Sequence, residues 1–251
     1  MRVIITSRQA LTPIYATVLS HLTRILAEIS KNPSNPKFNH YTFESISALV
    51  RSIFPLISSR TTTDHFELGR FVTAGTPATL AEFEAALFPP FLSILTLDIS
   101  EFTPFVFQIL SQLLELHTAT SFPSQYKALL PPLLTPTLWE SKGNVPALVR
   151  LLRAFLSRGA SGIVADGQVG PLLGVFQHLV GSRANDAFGF ELLEAMFEYL
   201  PLYVHSVPLP RPYTNTARSI DPPWNRTCRI RYSYFSSLDY KRVKRINTVR
   251  D

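Results

Sequence analysis

Apolar residues recur at spacings of three and four through most of the first 200 positions, with Pro, Gly and Asn punctuating the pattern. Ile14, Val18, Leu22, Ile25, Leu26 and Ile29 form one such stripe, which lines one side of a helix of 3.6 residues per turn. Thr12 before Pro13 predicts an N-cap with proline at the first helical position, and the helix should end near Lys31. Asn32-Pro33 and Asn35-Pro36 stop it there, because a residue before proline is pushed out of the α region and proline lacks an amide hydrogen. A second helix is expected over 38–57. Phe38, Tyr41, Phe43, Ile46, Leu49, Val50, Ile53 and Phe54 form its apolar face, with Asn39, His40, Glu44, Ser45 and Arg51 opposite.

The same reading predicts further helices. Polar residues 58–70, within a join reaching to 76, read as a loop or insertion. Thr76-Pro77 opens a third helix, which Pro89-Pro90 should kink, and Ser100 opens a fourth. A fifth starts at Pro123 and Ser124 and runs through Leu130, with Leu133 and Leu134 beyond the Pro131-Pro132 break. Asn144 should cap a sixth, closed by Gly159, and 167–181 and 186–200 supply two more. No segment of the first 200 residues alternates with period two, so the expected fold class is all-α.

These helices fall into pairs: 11–31 with 38–57, 78–97 with 100–117, 123–134 with 144–158, and 167–181 with 186–200. The last three pairs begin about 45 residues apart, the period of HEAT and armadillo units in an α-solenoid. One helix pair cannot cover its own apolar face, whereas stacked pairs share a continuous core. An ordinary globular helical domain would show the same stripes and is the alternative. On the solenoid reading, 1–200 is one solenoid fragment of about four pairs.

Charge changes the picture only at the end of the chain. Residues 1–200 hold 14 Lys and Arg against 15 Asp and Glu, whereas 201–251 hold 10 against 3. The net charge of +6 therefore describes the tail and not the body. That tail also carries six prolines and no long apolar stripe. A retained intron, a frame shift or a truncated gene model would produce it, and a genuine basic tail is the alternative. Its KRVKR run at 241–245, with Tyr232, Tyr234, Phe235 and Tyr240, is the one feature suited to nucleic acid. The single Cys228 allows no intrachain disulfide and favours a reducing compartment. No apolar run reaches membrane-spanning length, and the N-terminus is too short in apolar core for a secretory signal.

Catalytic patterns are missing: there is no phosphate-binding GxxxxGK[ST], HExxH, paired CxxC or GxSxG. The six histidines have no Cys or carboxylate at ligand spacing, and each reads as a helix-surface or capping residue. No catalytic residue, metal site or cofactor is expected. In a solenoid the second helix of each pair presents polar side chains on the concave wall. That places Glu44, Arg51, Gln108, Gln112, Glu115, Arg150, Arg153, Glu191 and Glu194 as candidate partner contacts.

Several runs go beyond periodicity. TPIYATVLSHLTRILAEISKNPSNPKFNHYTFESISALVRSIF, TPATLAEFEAALFPPFLSILTLDISEFTPFVFQILSQLLELH, WESKGNVPALVRLLRAFLSRG and, more loosely, VGPLLGVFQHLVGSRANDAFGFELLEAMFEYL resemble the CAS-type exportins, importin-α re-exporters of the importin-β superfamily. They cover most of 8–200 in one order, and the resemblance stops after about Leu200. It implies a middle-to-C-terminal piece of a longer HEAT superhelix that binds importin-α with GTP-bound Ran. Such a receptor meets nuclear pore proteins and shuttles between nucleus and cytoplasm, with no small-molecule substrate and no membrane insertion. A HEAT scaffold outside transport and a basic-tail nucleic-acid binder are the other readings.

Overall fold

A computed structural model describes residues 11, 13–54, 75–117 and 122–200. The polar interval 58–70, Thr12, the extension of the second helix to 57 and the tail 201–251 lie outside them. Among the described residues every regular element is a helix: α1 (Tyr15–Lys31), α2 (Pro36–Ile53), α3 (Pro77–Thr96), α4 (Thr103–Leu116), α5 (Ser124–Leu133), α6 (Thr137–Glu140), α7 (Val145–Ala165), α8 (Val169–Val180) and α9 (Asp186–Tyr199). They form two compact units, one up to residue 122 and one from 123.

Local chemistry sets the helix starts, not always where the stripes suggest. Pro13 lies in a turn, and α1 begins two residues later at Tyr15 with no side-chain cap. By contrast, α2 starts early: Asn35 Oδ1 accepts the Phe38 amide at 3.1 Å and Pro36 takes the first helical position. Thr76 Oγ1 accepts the Thr79 amide at 3.1 Å and opens α3, as expected. That helix then continues through Pro89 and Pro90 to Thr96 as one element. Pro89 and Ala85 both lie on its exposed side, where water can satisfy the carbonyl left without an amide partner.

In the first unit, α1 packs on α2 and α3 on α4, while α1 also meets α3 and α2 meets α4. First helices lie on first helices and second on second, which is how solenoid hairpins stack. Tyr15 stacks on Phe83 with ring centres 5.8 Å apart. Phe43 of α2 meets Phe102 edge-on at 5.1 Å and stacks on Phe105 at 5.2 Å, both from the α4 side. Between α3 and α4, Asp98 takes φ 50° and Ile99 N–H bonds back to Ile94 at 3.2 Å, closing the helix end. This turn moves the start of α4 from the expected Ser100 to Thr103.

In the second unit, α5 runs through Pro131 and Pro132, where a break was expected. The unexpected short α6 seats Trp139, whose indole N–H donates to the Leu133 carbonyl at 2.9 Å. Asn144 precedes α7 but does not cap it; its amide instead donates to Leu138 at 3.3 Å. Gly159 was expected to end α7, yet it kinks the helix (φ −134°, ψ 23°) and the turns resume to Ala165. The left-handed closing residue is Gly167 at φ 67°, with Gln168 N–H bonded to Ile163 at 2.9 Å. α9 packs on both α8 and α7. The expected pairing of 123–134 with 144–158 appears as Tyr126 edge-on to Phe155 at 6.2 Å.

Candidate partner-binding wall

The second helices supply the polar rows, and the two units build them differently. On α2, Asn39, Phe43 and Ser47 turn toward α4, while His40, Glu44 and Arg51 follow about a sixth to a third of a turn further round. Arg51 reaches back along its own helix. One guanidinium nitrogen donates to Ser47 Oγ at 2.7 Å, and another lies 3.9 Å from Glu44 Oε2. Ser47 Oγ in turn sits 2.7 Å from Gln112 Nε2 and 3.0 Å from Gln112 Oε1 on α4.

This overturns one expectation of position. Gln112 was placed on the open wall, yet it is 8% exposed and spent on the α2–α4 interface. Its helix carries apolar residues almost all round, so the face that packs on α2 has to include it. Gln108 and Glu115, one turn either side, are half-exposed. Asn39 and Ser45 were likewise expected on the polar face of α2 and are buried, at 2% and 8%.

In the second unit Arg153 of α7 and Glu191 of α9 form an ion pair at 3.4 Å, with both side chains nearly half exposed. The acidic row Glu191, Glu194 and Glu198 is thus tied to α7 at its first member. Glu194 is exposed and Arg150 half-buried. At the end of α9, burial and then a hydrogen bond from the phenol to Glu198 raise the Tyr199 pKa, while Arg153 and Arg158 lower it. Of the nine candidates, Gln112 alone is enclosed. Within the first unit Arg51 and Glu44 are charged neighbours, and within the second Arg153 and Glu191 are.

Among the described histidines, His21, His40 and His178 are exposed on helices as expected, and His117 differs. His117 lies 2.6 Å from Glu84 of α3, a pair sheltered from solvent and 33 residues apart in sequence. His40 packs its ring on Phe105 at 5.4 Å. Spacing along the chain cannot reveal a partner delivered by another helix. No cluster of three His, Cys, Asp or Glu suited to a metal occurs among the described residues.

A family model described as CAS/CSE protein, C-terminus, matches residues 1–209. The chain belongs to the CAS/CSE family. The match passes the compositional change near Leu200, where the resemblance was expected to stop. The importin-alpha re-exporter of Schizosaccharomyces pombe (strain 972 / ATCC 24843) is 46% identical over 197 residues, 78% of this chain and 18% of that relative. Exportin-2 of Xenopus laevis is 47% identical over 196 residues, 77% of this chain and 18% of its own length. Among solved structures, the exportin Cse1 in its cargo-free, cytoplasmic state matches with a TM-score of 0.67 and 33% identity, covering 82% of this chain and 19% of that one. The chain therefore spans about a fifth of the length of the relatives it matches, and its all-α hairpins are those of a CAS/CSE solenoid.

Proposed function

We propose that this chain is a segment of a nuclear export receptor that binds importin-α together with GTP-bound Ran and returns importin-α to the cytoplasm, shuttling through the nuclear pore. Identity of 46% with an importin-alpha re-exporter across nearly the whole helical region carries the reading. The chain's part in it is binding without catalysis: polar side chains on second helices meet a protein surface through many small contacts. Gln108, Glu115, Arg150 and Glu194 contact the partner. Arg51, Glu44, Arg153 and Glu191 do so by exchanging an internal partner for an external one.

Capture of recombinant importin-α by the immobilised chain, with and without Ran held in its GTP form, tests this. Capture should strengthen when GTP-bound Ran is added and weaken about tenfold when Arg150→Glu and Glu194→Arg are combined. Absence of capture in both conditions would sink the reading in favour of a scaffold outside transport.

A further inference from the structure

Thr-Pro occurs four times along the chain, at Thr12, Thr76, Thr103 and Thr135, and Ser-Pro does not occur. A threonine followed by proline is the acceptor pattern of proline-directed protein kinases. The ring has a fixed φ and brings no N–H, so an enzyme can receive it in an apolar slot without stranding a donor. By pattern the four threonines are equivalent, and the fold separates them. Thr103 is 3% exposed and its hydroxyl donates to the Ile99 carbonyl. Thr76 holds the start of α3: its Oγ1 accepts the Thr79 amide and lies 2.9 Å from the Thr79 hydroxyl. Thr12 lies outside the described residues.

Thr135 stands in the turn between α5 and α6. It is exposed, as are Pro131, Pro132, Pro136 and Thr137 around it. Its amide at 3.1 Å and its hydroxyl at 2.7 Å both donate to one acceptor, the Pro132 carbonyl. Water can replace both bonds at an exposed turn, and three prolines leave few amides to hold the stretch closed. A residue before proline also favours the extended backbone that a kinase cleft receives. Buried Leu133 and Trp139 anchor the two ends, so residues 135–137 can open while the core stays in place.

We propose that Thr135 is a phosphorylation site for a proline-directed kinase, and that its modification loosens the turn between α5 and α6. The γ-phosphoryl group of ATP passes to Thr135 Oγ1: the new P–O bond forms as the bond to ADP breaks, and the hydroxyl proton leaves to a base of the kinase. The product has no hydroxyl proton to give the Pro132 carbonyl. It also carries a charge of about −2 beside the C-terminal end of α5, where the last carbonyls already gather negative charge. Trp139, whose indole N–H bonds the Leu133 carbonyl, closes the other end of the turn. The inference is independent of what the wall binds.

The test incubates the folded full chain with ATP and a proline-directed kinase and maps the modified residue by peptide mass spectrometry. One phosphoryl group at Thr135 is expected. Thr135→Ala should abolish that incorporation, and Pro136→Ala, which keeps the acceptor hydroxyl, should reduce it several-fold; circular dichroism of both variants checks that the helices are retained. Amide hydrogen exchange over 133–139 should be several-fold faster in the phosphorylated chain. Incorporation into the heat-unfolded chain and not the folded one, or incorporation confined to Thr12, Thr76 or Thr103, overturns the proposed site. Unchanged exchange over 133–139 overturns the loosening. Neither readout involves importin-α, so failure here is distinct from failure of the export reading.

Discussion

Ser47 of α2 and Gln112 of α4 lie within hydrogen-bond distance of each other inside the interface between the first two hairpins, 65 residues apart in sequence. The hydroxyl also accepts from Arg51, so a single small side chain joins a buried amide to a surface guanidinium. An apolar pair would hold the helices together equally well. A directional pair in addition fixes how far along its axis α2 sits on α4.

Removing one partner should therefore cost more than removing both. Ser47→Ala leaves the Gln112 amide buried and should destabilise the chain by about 1–3 kcal/mol. Adding Gln112→Leu should recover part of that loss, because no polar group is then stranded. Urea unfolding of the single and double variants measures the coupling; strictly additive losses would show that the two residues do not act as a pair.

Gly189 marks the close approach of α9 to α8. A Cβ there would stand 2.7 Å from Val180 Cγ1 and 3.2 Å from Leu179 Cβ. Gly189→Ala should destabilise by about 1–3 kcal/mol through overpacking, outweighing alanine's better helix propensity. Val180→Ala in the same chain should restore room, so the double variant is expected to unfold at higher denaturant than Gly189→Ala.

Asp98 holds a left-handed conformation that costs a residue with a side chain about 1 kcal/mol and costs glycine almost nothing. Asp98→Gly should thus leave stability unchanged or raise it slightly, whereas Asp98→Val should lower the unfolding temperature by several degrees.

Tyr15 donates its hydroxyl to Glu82 of α3 at 2.6 Å. That hydrogen bond to Glu82, followed by burial and the carboxylate charge, raises the phenol pKa above its ordinary value of 10.0. The folded chain then holds the proton to higher pH than the unfolded chain does. Stability from this contact is complete below about pH 10 and declines as pH rises through the folded pKa. Tyr15→Phe should flatten the fall in unfolding temperature above pH 10 while lowering stability at neutral pH.

Helix existence was legible in the stripes because burial on one side imposes the 3.6-residue period whatever the neighbour is. Their ends were less so: Ser100 and Gly159 both read as boundaries, yet Asp98 and Gly167, set by backbone conformation, mark the ends. That Glu44, Arg51, Arg153 and Glu191 lie on second helices was legible from the helix pairing, but the pattern could not say that they pair with one another, because those pairs form between helices or across two turns of one helix.

The linear chain by itself determined an all-α protein of paired helices with its excess charge in the tail, since period, proline placement and composition are properties of local sequence. The tertiary structure alone decided which polar residues are spent inside. Gln112 and Asn39 are enclosed because each second helix packs on two neighbours, widening its buried arc beyond one apolar face. The same geometry left Tyr41 and Phe38 open on the flank no described helix covers, although the stripe had placed them in the core.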